Sequence, residues 1–179
     1  MMSLTRAFDQ WFKNTTARST LAPMTILWLL LLGWLAFFWN LGKNGLLDET
    51  EPLFVEAARQ MTVTGDWITP YFNGVTRFDK PPLIYWTQAI AFQTFGVNEW
   101  AARLPSALAG LFLTVFCFYT LKRFGIVAKA RKESPLLKNR LSPESQLWLT
   151  AWLGATMVAL HPLTFLFGRL GYSDMLLSA

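Results

Sequence analysis

The run Leu21 to Leu41, LAPMTILWLLLLGWLAFFWNL, decides how this chain must be read, because its 21 residues carry no charge. As a helix rising about 1.5 Å per residue it covers roughly 31 Å, the thickness of a bilayer's hydrocarbon core. Working outward, Leu104–Leu121 is an uncharged run of 18 residues and Ser145–Gly168 one of 24. Pro81–Asn98 is uncharged for a further 18. The composition agrees. Hydrophobic residues make up 53% of the 179 and charged residues only 15%, where a soluble domain carries about a quarter charged. An ordinary soluble globule and a disordered chain are both excluded.

Charge placement decides which runs cross. Arg6, Lys13 and Arg18 precede the first run, against Asp9 alone. Lys122, Arg123, Lys129, Arg131, Lys132, Lys138 and Arg140 follow the second, against Glu133. By the positive-inside rule both segments face the cytoplasm. Lys43 to Arg103 holds five basic and seven acidic residues and belongs on the far side. Three crossings satisfy this pattern, at about 21–41, 104–122 and 146–167. They leave an extracytoplasmic loop at 42–103 and a cytoplasmic loop at 123–145. A fourth crossing would turn the basic loop outward, so Pro81–Asn98 reads as a helix on the outer face. Phe37-Phe38-Trp39-Asn40 lacks a small-residue cleavage pattern, so the first run reads as an uncleaved anchor. The apolar close Met175–Ala179 reads as the opening of a further helix in a longer polypeptide.

A 60-residue outer loop should carry helices of its own. Glu51–Thr64 is amphipathic, with Leu53, Phe54, Ala57, Ala58 and Met61 on one face and Glu56, Arg59 and Gln60 away from it. Pro52 suits a first turn and Gly65 the residue past the end. Trp67, Tyr71, Phe72, Phe78, Tyr85, Trp86 and Trp100 are aromatics of the kind that favour the headgroup layer. The fold class is therefore all-α and integral to a membrane, with three transmembrane helices and amphipathic outer-face helices.

Chemistry, if present, lies on that outer side. One cysteine and one histidine leave no disulfide framework, cysteine–zinc site or Ser-His-Asp triad. In Asp48-Glu49-Thr50-Glu51, Asp48 has the spacing of a helix cap, with Glu51 as its capping-box partner. Asp48 can equally orient, or take a proton from, an attacking hydroxyl. In Arg77-Phe78-Asp79-Lys80-Pro81-Pro82, Lys80 stands just before a helix start, where a phosphate is welcome, or it snorkels at the interface. Asp174, after the third run, is a helix cap or a second carboxylate. Topology brings Asp48, Lys80 and Asp174 to one surface, a set suited to a phosphorylated lipid. His161-Pro162 reads as a kink and Cys117 as packing. The cytoplasmic cations face anionic lipid rather than nucleic acid. No dedicated metal cluster is visible, although a divalent cation could bridge Asp48 or Asp174 to phosphate.

The stretch from Asp48 onward, DETEPLFVEAARQMTVTGDWITPYFNGVTRFDKPPLIYWTQAIAFQTFGVNEWAARLPSAL, resembles the N-terminal part of the polyprenyl-phosphate-dependent glycosyltransferases. These include aminoarabinose transferases and protein mannosyltransferases of the GT-C type. The opening Asp-Glu, the E-x-x-R-x-M helix, G-D-W-x-x-P, K-P-P-L-x-Y-W and R-L-P carry the resemblance. It implies a GT-C-like N-terminal portion with an extracytoplasmic active site in a bacterial plasma (inner) membrane. The implied partners are a polyprenyl-phosphate-linked sugar donor, a lipid or protein acceptor, and membrane lipids. By the same resemblance Asp48 and Asp174 are the catalytic carboxylates. Lys80 by that resemblance holds the donor phosphate, and Asp79 occupies a position that is often acidic; Arg77 is read as a second phosphate contact in place of the family's arginine, and Glu49 as support. One departure stands out, since Glu51-Pro52-Leu53-Phe54 occupy the place where aminoarabinose transferases commonly carry Arg and Tyr. Two other readings stay open, a non-catalytic module that binds a polyprenyl-phosphate lipid and part of a carrier-lipid transporter.

Overall fold

The structure is a computed structural model that describes residues 10, 21–43, 45–46, 50–76, 78, 80–125 and 143–178. It is mostly helical. α1 (Leu21–Gly33) runs on as a π turn (Trp34–Phe38), and α2 (Thr50–Thr64) follows. A hairpin, β1 (Tyr71–Phe72) and β2 (Val75–Thr76), leads to α3 (Leu83–Phe95) and the long α4 (Glu99–Phe124). α5 (Pro143–Leu160), α6 (Pro162–Phe167) and α7 (Ser173–Ser178) complete the described elements. Of these, α4 alone is long and apolar enough to cross a membrane, with 26 residues and a mean hydropathy of 1.8 over an 18-residue stretch. Pro23–Phe38 is a shorter apolar helix.

The all-α expectation needs one correction. Tyr71 pairs with Thr76 and Phe72 with Val75, antiparallel, around Asn73-Gly74. Both turn residues have positive φ, 49° and 78°. This is the Asn-Gly turn whose twist matches paired strands. Two of the expected runs also differ in outline. The second begins at Glu99 rather than 104, because the Asn98 side chain accepts the Ala101 N–H at 2.8 Å and caps the helix there. The third is interrupted, because His161 is extended (ψ 131°) and Pro162 opens a new helix. Proline removes an interior hydrogen bond and pushes its predecessor out of the helical region.

The chain divides into two compact units. The first, Met1–Leu32 with Thr114–Val158, holds a cluster of Leu29, Phe118, Trp148, Ala151 and Ala155. Ala151 and Ala155 are fully buried, and Gly154 faces Leu121, so small residues on α5 admit the larger ones opposite. Trp148 packs between Phe118 and Trp152 with the rings tilted 58° and 60°, and the Lys122 ammonium lies 3.6 Å from its ring centroid.

The second unit, Gly33–Leu113 with Ala159–Ala179, holds the larger core. α2 and α3 bury Phe54, Ala57, Ala58, Met61, Ile84, Tyr85, Ala89 and Phe92 against Ala101 and Ala102 of α4. The buried α2 face matches the amphipathic reading, and Gly65, at φ 74°, closes the helix as expected. Each large side chain here contributes about 1.5–3 kcal/mol. The alanines let the backbones approach.

Phe37, in the π turn, is fully buried beside two glycines. A Cβ on Gly110 would lie 2.9 Å from its ring, and one on Gly168 would lie 2.7 Å from it. Gly110→Ala is therefore expected to cost about 1–3 kcal/mol by overpacking. Thermal unfolding of the protein in lipid nanodiscs measures it, and an unchanged midpoint would refute the wedge.

Candidate functional site

The centre of the second unit is polar. Glu51, in the first turn of α2, is fully buried, and Arg103, on α4, is 3% exposed. The guanidinium binds the carboxylate with two parallel bonds, Nε to Oε1 at 2.8 Å and Nη2 to Oε2 at 2.9 Å. Nη1 also donates to the Leu41 carbonyl and Nη2 to that of Gly45, each at 2.9 Å. Glu51 Oε1 accepts the Gly171 N–H at 2.9 Å. Three backbone groups, of Leu41, Gly45 and Gly171, are thus held on one ion pair. Burial strengthens such a pair and makes every missing partner costly.

Gln88 of α3 extends the network. Its Nε2 donates to the Ala102 carbonyl at 2.9 Å and the Gly171 carbonyl at 3.4 Å. The Gln88 side chain is wholly buried against α4. Ser106 Oγ donates to the Tyr172 carbonyl at 3.3 Å. Arg169 donates to the carbonyls of Ala36 and Trp39, at 3.2 and 2.5 Å. Burial, with the charge of Arg103 second, lowers the Arg169 pKa.

Of the expected site residues, Lys80 and Asp174 are described. Lys80 is exposed, three residues ahead of α3. Asp174 is exposed in the first turn of α7, with Ser173 Oγ 3.5 Å from its Oδ1. Asp48, Glu49, Arg77 and Asp79 lie outside the described residues. Asp48 and Glu49 fall between Gly45 and Glu51, both of which Arg103 grips. Among the described residues no group of three or more His, Cys, Asp or Glu side chains is placed to hold a metal ion.

Beside this network α3, α4 and α7 line an open groove of about 580 Å³, formed by Ile90, Phe95, Leu104, Leu108, Phe112 and Leu176 with Thr87 and Thr94. Its volume suits a small-molecule site. Its lining carries no acid or base, so it can take up hydrocarbon but perform no proton chemistry. At the hairpin, Asp66 Oδ1 accepts the N–H groups of Ile68 and Thr69 at 2.9 and 3.1 Å, and these bonds lower its pKa. The G-D-W-x-x-P segment is therefore a turn built on Asp66, and Trp86 Nε1 ties α3 to it through the Trp67 carbonyl.

Residues 24–130 match the family described as dolichyl-phosphate-mannose-protein mannosyltransferase. The chain belongs to this family. An uncharacterised protein of Aquifex aeolicus is 36% identical over 87 residues, which cover 49% of this chain and 17% of that protein. An undecaprenyl phosphate-alpha-4-amino-4-deoxy-L-arabinose arabinosyl transferase of Aeromonas hydrophila is 33% identical over 143 residues, 75% of this chain and 26% of the relative. The chain thus spans about a quarter or less of the length of these relatives. The crystal structure of ArnT from Cupriavidus metallidurans in the apo state has the same fold over 88% of this chain and 25% of that one, with a TM-score of 0.68 at 23% identity. The same protein bound to undecaprenyl phosphate matches 58% of this chain and 19% of that one, with a TM-score of 0.52 at 30% identity.

Within the family match, the ion pair is the feature that the sequence reading missed. The sequence by itself shows Arg103 only as the start of R-L-P, and Glu51 as a capping partner. Both oxygens of Glu51 in fact engage Arg103. A signal was available, because Glu51, Phe54, Ala58 and Met61 recur at helical spacing, which puts a carboxylate on the buried face. Such a charge requires a cation.

Proposed function

We propose that the protein is a membrane glycosyltransferase that moves a sugar from a polyprenyl-phosphate carrier to a lipid or protein acceptor at the extracytoplasmic face. The observation that carries this is the family match over residues 24–130, which encloses Asp48, Arg77, Asp79 and Lys80. Relatives that act on undecaprenyl-phosphate aminoarabinose, and a structural neighbour bound to undecaprenyl phosphate, support a carrier lipid as donor.

In this reading the chain crosses the bacterial inner membrane at about 21–41, 104–122 and 146–167, with the N-terminus in the cytoplasm. The acceptor hydroxyl attacks the anomeric carbon, and the carbon–oxygen bond to the carrier phosphate breaks. Asp48 orients the hydroxyl or takes its proton. Lys80, with Arg77, neutralises the charge that develops on the leaving phosphate, the usual role of a fixed cation in group transfer. Asp174 lines the donor side, with Glu49 and Asp79 in support.

The test uses membranes carrying the protein and undecaprenyl-phosphate aminoarabinose as the donor probe, with lipid A and an acceptor peptide supplied in parallel. Release of undecaprenyl phosphate together with a glycosylated acceptor is expected. Binding of the carrier without release from any polyprenyl-phosphate sugar tried would refute catalysis.

A further inference from the structure

We infer that Glu51, Arg103 and Gln88 are positioning residues for Asp174. The inference rests on the part assigned to Asp174 in the proposed transfer. The Gly171 peptide is gripped at both ends by buried side chains, its N–H by Glu51 and its carbonyl by Gln88. Ser106 holds the next carbonyl, that of Tyr172. Asp174 follows two residues later. On either side of it Ser173 and Met175 are buried, at 4% and 2% exposure, while Asp174 itself is exposed. Ser173 and Met175 thus seat the start of α7 with the Asp174 side chain facing outward.

Three features fit positioning better than stability. A buried ion pair is often no more stabilising than well-packed apolar residues in its place, and its best-attested use is to fix register. Gln88 Oε1 is buried without a hydrogen-bond partner among the described residues, a cost that packing alone does not call for. The site also demands glycine at 171, since a Cβ there would lie 3.0 Å from Gln88 Nε2 and 3.3 Å from Glu51 Oε1. Arg103 fixes Glu51 at both oxygens, so the Gly171 N–H meets an acceptor that cannot swing away.

The experiment has two readouts. In a Cys117→Ser background, Met175→Cys reports the seat of α7 through its rate of maleimide labelling in membranes. In the same membranes, release of undecaprenyl phosphate from undecaprenyl-phosphate aminoarabinose, per folded protein, reports the chemistry. Glu51→Gln keeps the shape but turns an amide N–H₂ toward the guanidinium. It is expected to speed labelling of Met175→Cys and to lower kcat by about tenfold to a hundredfold, with the donor KM nearly unchanged. Glu51→Asp, which keeps the charge, should recover part of both and serves if Glu51→Gln does not fold. Unchanged labelling in these variants overturns the inference, as does faster labelling with an unchanged kcat. Should the unsubstituted protein release no carrier, the transferase reading fails, and the labelling still decides whether these residues seat α7.

Discussion

Arg103→Ala is expected to destabilise the protein by about 3–5 kcal/mol, among the largest single effects the structure supports. The substitution leaves the fully buried Glu51 carboxylate without its bidentate partner and the carbonyls of Leu41 and Gly45 without a donor. A buried charge without a counter-charge must be protonated or hydrated, and both cost free energy. Glu51→Ala should cost a similar amount, since it strands the guanidinium. Replacing both, Glu51→Ala with Arg103→Ala, should cost clearly less than the two single changes added together, because no charge is then left behind. Chemical unfolding in nanodiscs measures all four proteins. Simple additivity would show that the two residues do not act as a pair.

Asp48→Asn is expected to reduce sugar transfer by about 10²–10⁴-fold while membrane insertion and folding stay intact. The amide has nearly the size of the carboxylate but neither its charge nor its basicity, so the change isolates the chemistry. Transfer to the acceptor and protein yield in the membrane fraction are measured together. A variant that keeps most of its activity would remove Asp48 from the mechanism. Loss of activity together with loss of folded protein would move Asp48 to the helix-capping role that its position before α2 also suits.

The match to solved structures at 23–30% identity shows how much of the scaffold tolerates change. In the second unit, close contact ties the Glu51–Arg103 fork, Gly171 against Gln88, and Phe37 between Gly110 and Gly168 to particular residue types.

Local chemistry was readable from the sequence alone. Apolar runs give helices wherever they occur, and the spacing of Phe54, Ala57, Ala58 and Met61 set the buried face of α2. Gly65 ended that helix because a left-handed residue costs glycine little. Asp48-Glu, K-P-P and R-L-P were enough to point to the family that residues 24–130 match. The Asn73-Gly74 hairpin is equally local, since that pair by itself suits a two-residue turn. The break at His161-Pro162 was foreseen as a kink, although the residue before that proline is fully extended. Tertiary structure alone decided the rest. Glu51 and Arg103 are 52 positions apart, and Glu51 and Gly171 are 120 apart. No local pattern records such pairing, because a buried charge selects its partner by proximity after the helices have packed. The same holds for Gln88, whose amide sits in the core, held by carbonyls that only the fold brings to it.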